Sequence, residues 1–164
     1  MSKTPAVSGS DTETRATSDD HQALRLWLRM LACTNLVEGQ VRSRLRQKFD
    51  ITLPRFDLMA QLERVPGGLK MGELSKRMMV TGGNVTGITD QLVAEGLVVR
   101  EDNPTDRRAY IVKLTPEGHR VFKKMAGAHR EWVVELFGGM SERQRANLHE
   151  LLAVLKQQLA KAKK

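Results

Sequence analysis

Hydrophobic residues recur at three- and four-residue steps along most of the chain, and this spacing predicts helices. The pattern begins near residue 19 and continues without proline to Phe49, which predicts one long first helix. Later helices are predicted over 54–64, 71–78, 83–95 and 116–136, followed by a leucine-striped final helix capped by Ser141. Residues 1–18 lack any such period and are predicted to form a disordered tail.

Two short β-rich segments interrupt the helices. Residues 97–100 and 110–114 are rich in valine, isoleucine and leucine, and the polar, proline-containing segment 101–109 joins them. Together they predict a β-hairpin. The predicted order is α-α-α-α-β-β-α-α, so we expect a mainly α-helical fold with one small β-hairpin.

Polar residues and glycines mark the predicted helix ends beside this hairpin. Thr81 is expected to cap the helix over 83–95, and Gly96 is expected to end it. Thr115, followed by Pro116, is expected to cap the next helix.

Basic residues are in excess, and the excess lies near the two ends of the chain. The 164 residues include 27 Lys and Arg against 19 Asp and Glu, a net charge of +8. Residues 21–49 carry six basic side chains against one acidic one, and residues 141–164 carry six against two. This surplus predicts a polyanionic partner such as nucleic acid or an acidic membrane surface.

Simple features exclude several classes of protein. No apolar run approaches the roughly 20 residues that a membrane span needs, and the first 20 residues have no apolar core of a signal peptide. The single cysteine, Cys33, cannot form an internal disulfide. We expect it to be a small buried side chain, with oxidant sensing as the alternative. These features predict a cytoplasmic protein without a membrane partner.

Catalytic and metal-binding patterns are also missing from the sequence. The four histidines show no i, i+4 pair, no serine lies in a nucleophile elbow, and no carboxylate pair marks an apolar face. We therefore expect no enzyme activity, no metal site and no cofactor.

The two helices predicted over 71–78 and 83–95 are joined by a glycine-containing turn, which is typical of a helix-turn-helix. The second helix has a small, uncharged polar face suited to base edges in the major groove. The hairpin that follows would form a wing whose arginines reach the minor groove of double-stranded DNA. The pattern alone also fits an ordinary helical pair beside a solvated hairpin. The candidate DNA-binding residues are Lys70, Arg77, Thr81, Gly82, Asn84, Thr86, Gln91, Asp106, Arg107 and Arg108.

Two stretches of this region resemble the MarR family of bacterial transcription regulators. One is the wing motif, Asp106-x-Arg108 followed after five residues by Leu114-Thr115-Pro116-Glu117-Gly118, and the other runs from Met71-Gly72-Glu73-Leu74-Ser75 to Gly96-Leu97-Val98-Val99-Arg100. The resemblance covers roughly residues 21–160. It implies an obligate homodimer of winged helix-turn-helix subunits whose DNA binding is modulated by a small ligand. Residues 19–53 and 116–164 would then form the dimerisation helices, and residues 54–115 the DNA-binding domain.

The resemblance also suggests roles for the wing residues. Arg108 matches the arginine that usually enters the minor groove, and Asp106 matches the acidic residue that orients it. Alternatively, the two side chains pair with each other across the turn. Many relatives carry an arginine on the recognition helix, whereas here Thr86 is followed by Gly87, Ile88, Thr89 and Asp90. Phosphate contacts are therefore expected from the wing, from Arg77 and Lys70, and from helix N-termini.

Residues 53–57 and 82–86 resemble a branch of the family that regulates the breakdown of aromatic acids, including hydroxycinnamates. That resemblance implies an aromatic acid or its coenzyme A thioester as the effector, bound between the first, second and fifth helices. The apolar wall is expected to comprise Trp27, Leu31, Phe56, Met59 and Phe122, with Arg29 or Arg46 holding an anionic group. The alternatives are ordinary core packing for the apolar residues and simple surface positions for the arginines.

The sequence therefore favours a ligand-responsive, sequence-specific repressor that leaves a pseudo-palindromic operator when its effector binds. An effector-independent architectural protein that coats DNA is the alternative, and sequence preference separates the two. An interaction module that has lost DNA binding is disfavoured by the intact wing motif.

Overall fold

The computed structural model describes residues 11–79 and 84–162, with side chains from Asp20 onward. It contains α1 (Asp11–Phe49), α2 (Leu53–Glu63), β1 (Leu69–Lys70), α3 (Met71–Arg77), α4 (Val85–Ala94), β2 (Val98–Asn103), β3 (Asp106–Leu114), α5 (Pro116–Leu136) and α6 (Glu142–Lys161). The predicted fold class, mainly α-helical with a small β-hairpin, is confirmed. The chain divides into two compact units, residues 1–40 and residues 41–164.

The first helix begins earlier than the hydrophobic pattern predicted. α1 starts at Asp11, so residues 11–18, expected to belong to a disordered tail, are helical. These residues are polar and show no apolar stripe, but they contain neither glycine nor proline, and a helix formed by the following turns can extend through them at little cost. Residues 1–10 of the predicted tail lie outside the described residues.

The hairpin belongs to a three-stranded antiparallel sheet with the order β1-β3-β2. β1 was not predicted because two residues are too few to show alternation. It pairs Leu69 with Val112, and the preceding Gly68 has a φ of 83°. A side chain at Gly68 would collide with the carbonyl oxygen of Val112, so the chain needs glycine there to reach the sheet.

The polar segment 101–109, expected to be a loop, is mostly strand. Only Pro104 and Thr105 form the turn, because Asn103 pairs with Asp106 and the ladder continues from there. The side chain of Asn103 accepts hydrogen bonds from Thr105 N (3.1 Å) and Thr105 Oγ1 (2.9 Å), a local bonding pattern that closes a tight turn. The two strands are solvent-exposed here and can carry charged side chains. A polar sequence therefore did not distinguish strand from loop.

The N-terminus of α4 also differs from the prediction. Its cap is Asn84, not Thr81, and the helix starts at Val85 rather than residue 83. Asparagine at this position accepts hydrogen bonds from two free amides of the first turn, and so fixes the start. Thr81 lies outside the described residues.

Three other predicted helix boundaries are confirmed. Gly96 follows α4 with a φ of 72°, Thr115 caps α5 by accepting from Gly118 N at 3.0 Å, and Ser141 caps α6 by accepting from Gln144 N at 3.2 Å. Gly118 packs so closely on the carbonyl of Leu97 that no side chain fits there. This approach fixes the start of α5 against the root of the hairpin.

The core of residues 41–164 lies where α2, α3, α4, the sheet and α5 meet. Its fully buried apolar side chains are Leu45, Leu58, Met59, Leu62, Leu74, Leu92, Val98, Val112 and Met125. α6, by contrast, buries none of its side chains. Among the helices of the described residues, none is long and apolar enough to cross a membrane.

Candidate nucleic-acid interface and effector cleft

The outer face of α4 carries the short polar side chains that the sequence predicted for base reading. Asn84, Thr86 and Gln91 are exposed, while Thr89 is fully buried and donates from Oγ1 to Val85 O at 2.7 Å. Ile88 and Leu92 hold the opposite face in the core. This burial turns a polar surface without basic residues outward from a firmly packed helix.

Asn84 uses its oxygen to cap the helix. Its Oδ1 accepts from Thr86 N at 3.1 Å and from Gly87 N at 3.3 Å. The amide Nδ2 is therefore the group of Asn84 that can donate to a base acceptor. The cap also fixes the orientation of the side chain.

A guanidinium group lies beside the exposed face of α4, although the helix itself has no basic residue there. Arg100 on β2 places Nη2 2.5 Å from Asp90 Oδ1. This pair offsets the negative charge of Asp90, which would otherwise repel phosphate groups. Sequence reasoning missed Arg100 because its partner lies ten residues away on another element, and the two side chains meet only once the chain has turned from α4 into β2.

The wing residues Asp106, Arg107 and Arg108 are all exposed at the start of β3. Asp106 Oδ1 accepts a hydrogen bond from the backbone N of Arg108 at 3.1 Å. The aspartate therefore shapes the backbone just after the turn, and the two arginines project from that fixed point.

The remaining predicted DNA contacts lie around α3. Lys70 is its exposed N-cap, whose backbone N donates to Glu73 Oε2 at 3.1 Å, and Arg77 is exposed in its last turn. Gly82, like Thr81, lies outside the described residues. The two basic residues therefore lie at the two ends of α3, the helix that precedes α4 in the chain.

A cleft of about 350 Å³ lies between α2 and α5. Phe56 and Phe122 stack in it with ring centroids 5.5 Å apart, and His129 lies 4.9 Å from Phe56. Burial lowers the pKa of His129, which favours its neutral form. Asp57, Gln61 and Arg64 supply polar groups to the same cleft.

The structure brings together only some of the residues predicted to hold an effector. Phe56 and Phe122 line the cleft, whereas Met59 is fully buried in the core and is not part of the cleft wall. Arg46 is exposed and lies 3.6 Å from Asp50 in an ion pair. The exposed side chains of the first unit include Trp27, Arg29 and Leu31.

Cys33 is exposed, so the expectation of a small buried side chain is wrong for this chain. Most of the apolar side chains described in α1 before residue 40 are exposed, because nothing in the described part of the unit of residues 1–40 packs against them. Cys33 lies in the same part of α1 and is exposed as well. Within residues 11–79 and 84–162 no group of three His, Cys, Asp or Glu side chains is arranged to hold a metal ion.

The C-terminal part of α1 is fixed to α5 by a two-pronged ion pair. Arg44 Nη1 and Nη2 donate to the two carboxylate oxygens of Glu135 at 2.8 and 3.0 Å. These hydrogen bonds hold the pKa of Glu135 below its usual range. Trp132 packs beside the pair and lies 6.3 Å from the ring of Phe49.

Comparison with known proteins agrees with this geometry. The model of the MarR family matches residues 49–109, the segment that contains the helix-turn-helix and most of the wing. The structure of a MarR family transcriptional regulator from Silicibacter pomeroyi is 33% identical, covers 91% of this chain and 98% of its own, and superposes with a TM-score of 0.71.

Two regulators identified by sequence are also similar. The HTH-type transcriptional regulator YkoM of Bacillus subtilis is 31% identical over 86 residues, which are 52% of this chain and 56% of YkoM. The transcriptional activatory protein BadR of Rhodopseudomonas palustris is 27% identical over 148 residues, 88% of this chain and 84% of BadR.

The match to the S. pomeroyi regulator extends over almost all of that protein. The family model spans α4 and the part of the hairpin that carries Asp106, Arg107 and Arg108. With its winged helix-turn-helix and its similarity to known regulators, the chain belongs to the MarR family and is a DNA-binding transcriptional regulator.

Proposed function

We propose that the protein is a homodimeric repressor that binds a pseudo-palindromic operator and is released from it by an aromatic acid or its coenzyme A thioester. The observation that carries the effector part of this proposal is the α2–α5 cleft with its stacked Phe56 and Phe122. Flat aromatic walls favour a flat aromatic ligand, because offset stacking adds to the free energy of burial.

The dimer part of the proposal rests on α6. Leu148, Leu151, Leu152 and Leu159 are between 39% and 68% exposed. A contiguous apolar helix face of this kind is typical of a surface that another subunit covers. Two copies related by a twofold axis would place two α4 helices on one face of DNA, with half-site centres about 10 bp apart.

Release by an effector needs a difference in affinity between two states of the dimer. A ligand that binds both states equally shifts nothing, so the effector must prefer a state whose α4 helices are wrongly placed for the operator. The polar groups of the cleft suit the two ends of a hydroxylated aromatic acid. Arg64 can pair with a carboxylate or phosphate, and neutral His129 can exchange a hydrogen bond with a hydroxyl.

The alternative is an architectural protein that coats DNA without an effector. The net charge of +8 favours non-specific phosphate contacts and a steep salt dependence. A coating protein binds all sequences with similar affinity, whereas a repressor prefers its operator by about 10³-fold or more.

A gel-shift titration separates these functions. The probe is the duplex that flanks the gene of the protein, with random-sequence duplex as competitor and with 4-hydroxybenzoate, p-coumarate and p-coumaroyl-CoA as candidate effectors. Specific retention that one compound releases supports the proposal. Equal competition by random duplex and indifference to all three compounds would establish the coating protein. A reporter strain distinguishes repression from activation, the mode named for BadR.

Variants at Arg108 and Asn84 test which residue contributes general affinity for DNA and which contributes base preference. Arg108→Ala removes an exposed wing guanidinium and is expected to lower the affinity for DNA by about tenfold on specific and random duplexes alike.

Asn84→Ala is expected to relax base preference and to lower helix stability, since the same side chain caps α4. Asn84→Ser keeps a capping oxygen without the amide donor, so it isolates base reading. Equal loss on both duplexes for Asn84→Ser would show that Asn84 reads no base.

A further inference from the structure

The buried carboxylate of Asp57 connects the cleft to the segment that leads into the recognition helix. Asp57 lies on α2, is only 6% exposed and is part of the cleft wall. Its Oδ2 accepts a hydrogen bond of 2.7 Å from the backbone N of Met79. Met79 follows α3 and precedes the cap of α4, Asn84, by five residues.

The geometry of this bond makes it sensitive to the contents of the cleft. Met79 is also part of the cleft wall, and so is Gln61, whose Nε2 donates to Asp57 Oδ1 at 2.9 Å. A molecule that fills the cleft therefore touches the acceptor, the donor residue and the side chain that orients the acceptor. Because a charge-assisted bond depends steeply on distance and angle, a small displacement weakens it.

We infer that Asp57 is a positioning residue through which an occupant of the α2–α5 cleft changes the placement of the recognition helix. The carboxylate holds the backbone at Met79 while the cleft is empty, and this hold keeps the chain into α4 in its DNA-binding arrangement. An occupant that displaces Asp57 or Met79 breaks the hold. This inference rests on the proposed function for its biological meaning, but the coupling itself needs neither DNA nor a natural effector.

A substitution can fill the cleft without knowledge of the ligand. Ala126 on α5 lines the cleft on the same helix face as Phe122 and His129, so Ala126→Phe places a benzyl group where a ligand would lie. Lys124→Phe adds the same ring to an exposed position about 160° away around the helix and is the matched control.

The test is amide hydrogen exchange of residues 77–94 in the full-length protein, with peptides of α6 as an internal reference. Ala126→Phe is expected to speed exchange in this segment by about tenfold, and Lys124→Phe is expected to leave it unchanged. In an Asp57→Ala background exchange should already be fast, and Ala126→Phe should add nothing. Asp57→Asn, which keeps an acceptor oxygen for Met79 N, should restore slow exchange and the response to Ala126→Phe.

Gln61→Ala removes the hydrogen bond that Gln61 donates to the carboxylate and leaves the one from Met79 N, so it should retain most of the response to Ala126→Phe. The inference is overturned if Ala126→Phe leaves exchange of residues 77–94 unchanged, or if it has the same effect with and without the Asp57 carboxylate. The test with Ala126→Phe alone needs no Asp57 variant, so it can overturn the inference even if Asp57→Ala does not fold. If exchange behaves as expected while no aromatic acid releases DNA, the coupling holds and the proposed effector class fails.

Discussion

Helices α2 and α6 have similar leucine-rich patterns but opposite degrees of burial. α2 buries eight of its 11 residues, including two polar ones, whereas α6 buries none of its 20. α6 begins at a Ser141 capping box and α2 begins with a proline in its first turn, and both helices keep an apolar stripe. The difference shows that periodicity predicts a face that must be covered, and says nothing about which surface covers it.

The two regions therefore depend on different sources of stabilisation. In the winged-helix region the apolar stripes of α2, α4 and α5 cover each other, so their burial stabilises the fold of one chain. The stripe of α6 gains this contribution only when another molecule covers it. On the proposed function that molecule is a second copy, and the stability of α6 then depends on protein concentration.

Leu92 and Leu151 provide the largest contrast between the regions. Leu92 is fully buried and Leu151 is 68% exposed. Leu92→Ala is expected to lower the free energy of unfolding by about 3 kcal/mol at every protein concentration, through lost burial and a cavity. Leu151→Ala should leave the unfolding of dilute protein nearly unchanged and lower the melting temperature only where dimer forms. Thermal unfolding at 1 and 100 µM measures both effects, and equal losses for the two variants would contradict the contrast.

If two copies pair through α6, as the proposed function requires, a charge on the α6 stripe should separate them without unfolding the winged-helix region. Leu152→Glu puts a carboxylate on the apolar face and is expected to raise the dimer dissociation constant by about 100-fold, about 2.7 kcal/mol. Gln157→Glu introduces the same group on another side of the helix and is the control. Analytical ultracentrifugation gives the dissociation constant and circular dichroism reports the helix content. A Leu152→Glu protein that remains dimeric would place the interface elsewhere.

The sequence predicted several helix ends well because their signals are local. Thr115, Ser141 and Gly96 mark helix ends through bonds or backbone angles that involve only neighbouring residues. The prediction failed where a competing local choice existed, as at the start of α4. There Thr81 and Asn84 are both good capping residues, and Asn84 holds the position.

The candidate site was harder to predict because it depends on contacts between distant residues. The bond from Met79 N to Asp57 and the pair of Arg100 with Asp90 join separate elements, so no spacing in the sequence reveals them. Met59 and Phe56, both on α2, also show that spacing in the sequence does not reveal which residues line the cleft. Both were expected to line the cleft, but Phe56 lines it while Met59 is completely buried in the core.

Two N-caps allow the regions to be compared through the same chemical change. Thr115 Oγ1 accepts from Gly118 N at 3.0 Å and also donates to Gly96 O at 2.6 Å, which ties α5 to the end of α4. Ser141 accepts from Gln144 N as a cap of α6. Thr115→Ala should cost about 1.5 kcal/mol and Ser141→Ala about 0.7 kcal/mol in urea unfolding. Thr115→Ser, which keeps the hydroxyl, should recover most of the loss, and a smaller cost for Thr115→Ala than for Ser141→Ala would refute the tertiary role.

The smallest effect expected is a pH dependence carried by His129 in the winged-helix region. Burial lowers the pKa of His129, so the unfolded chain binds a proton at this residue more readily than the folded one. The resulting stability is present above the unfolded pKa of about 6.5 and is lost as the pH falls below it toward the lower folded value. Asp57, Glu63 and Arg64 face the same cleft, so the contribution of His129 is the difference between wild type and His129→Phe. Melting temperatures from pH 8 to pH 5 should fall more steeply for the wild type than for His129→Phe, and parallel curves would show that burial of this ring costs its charged form nothing.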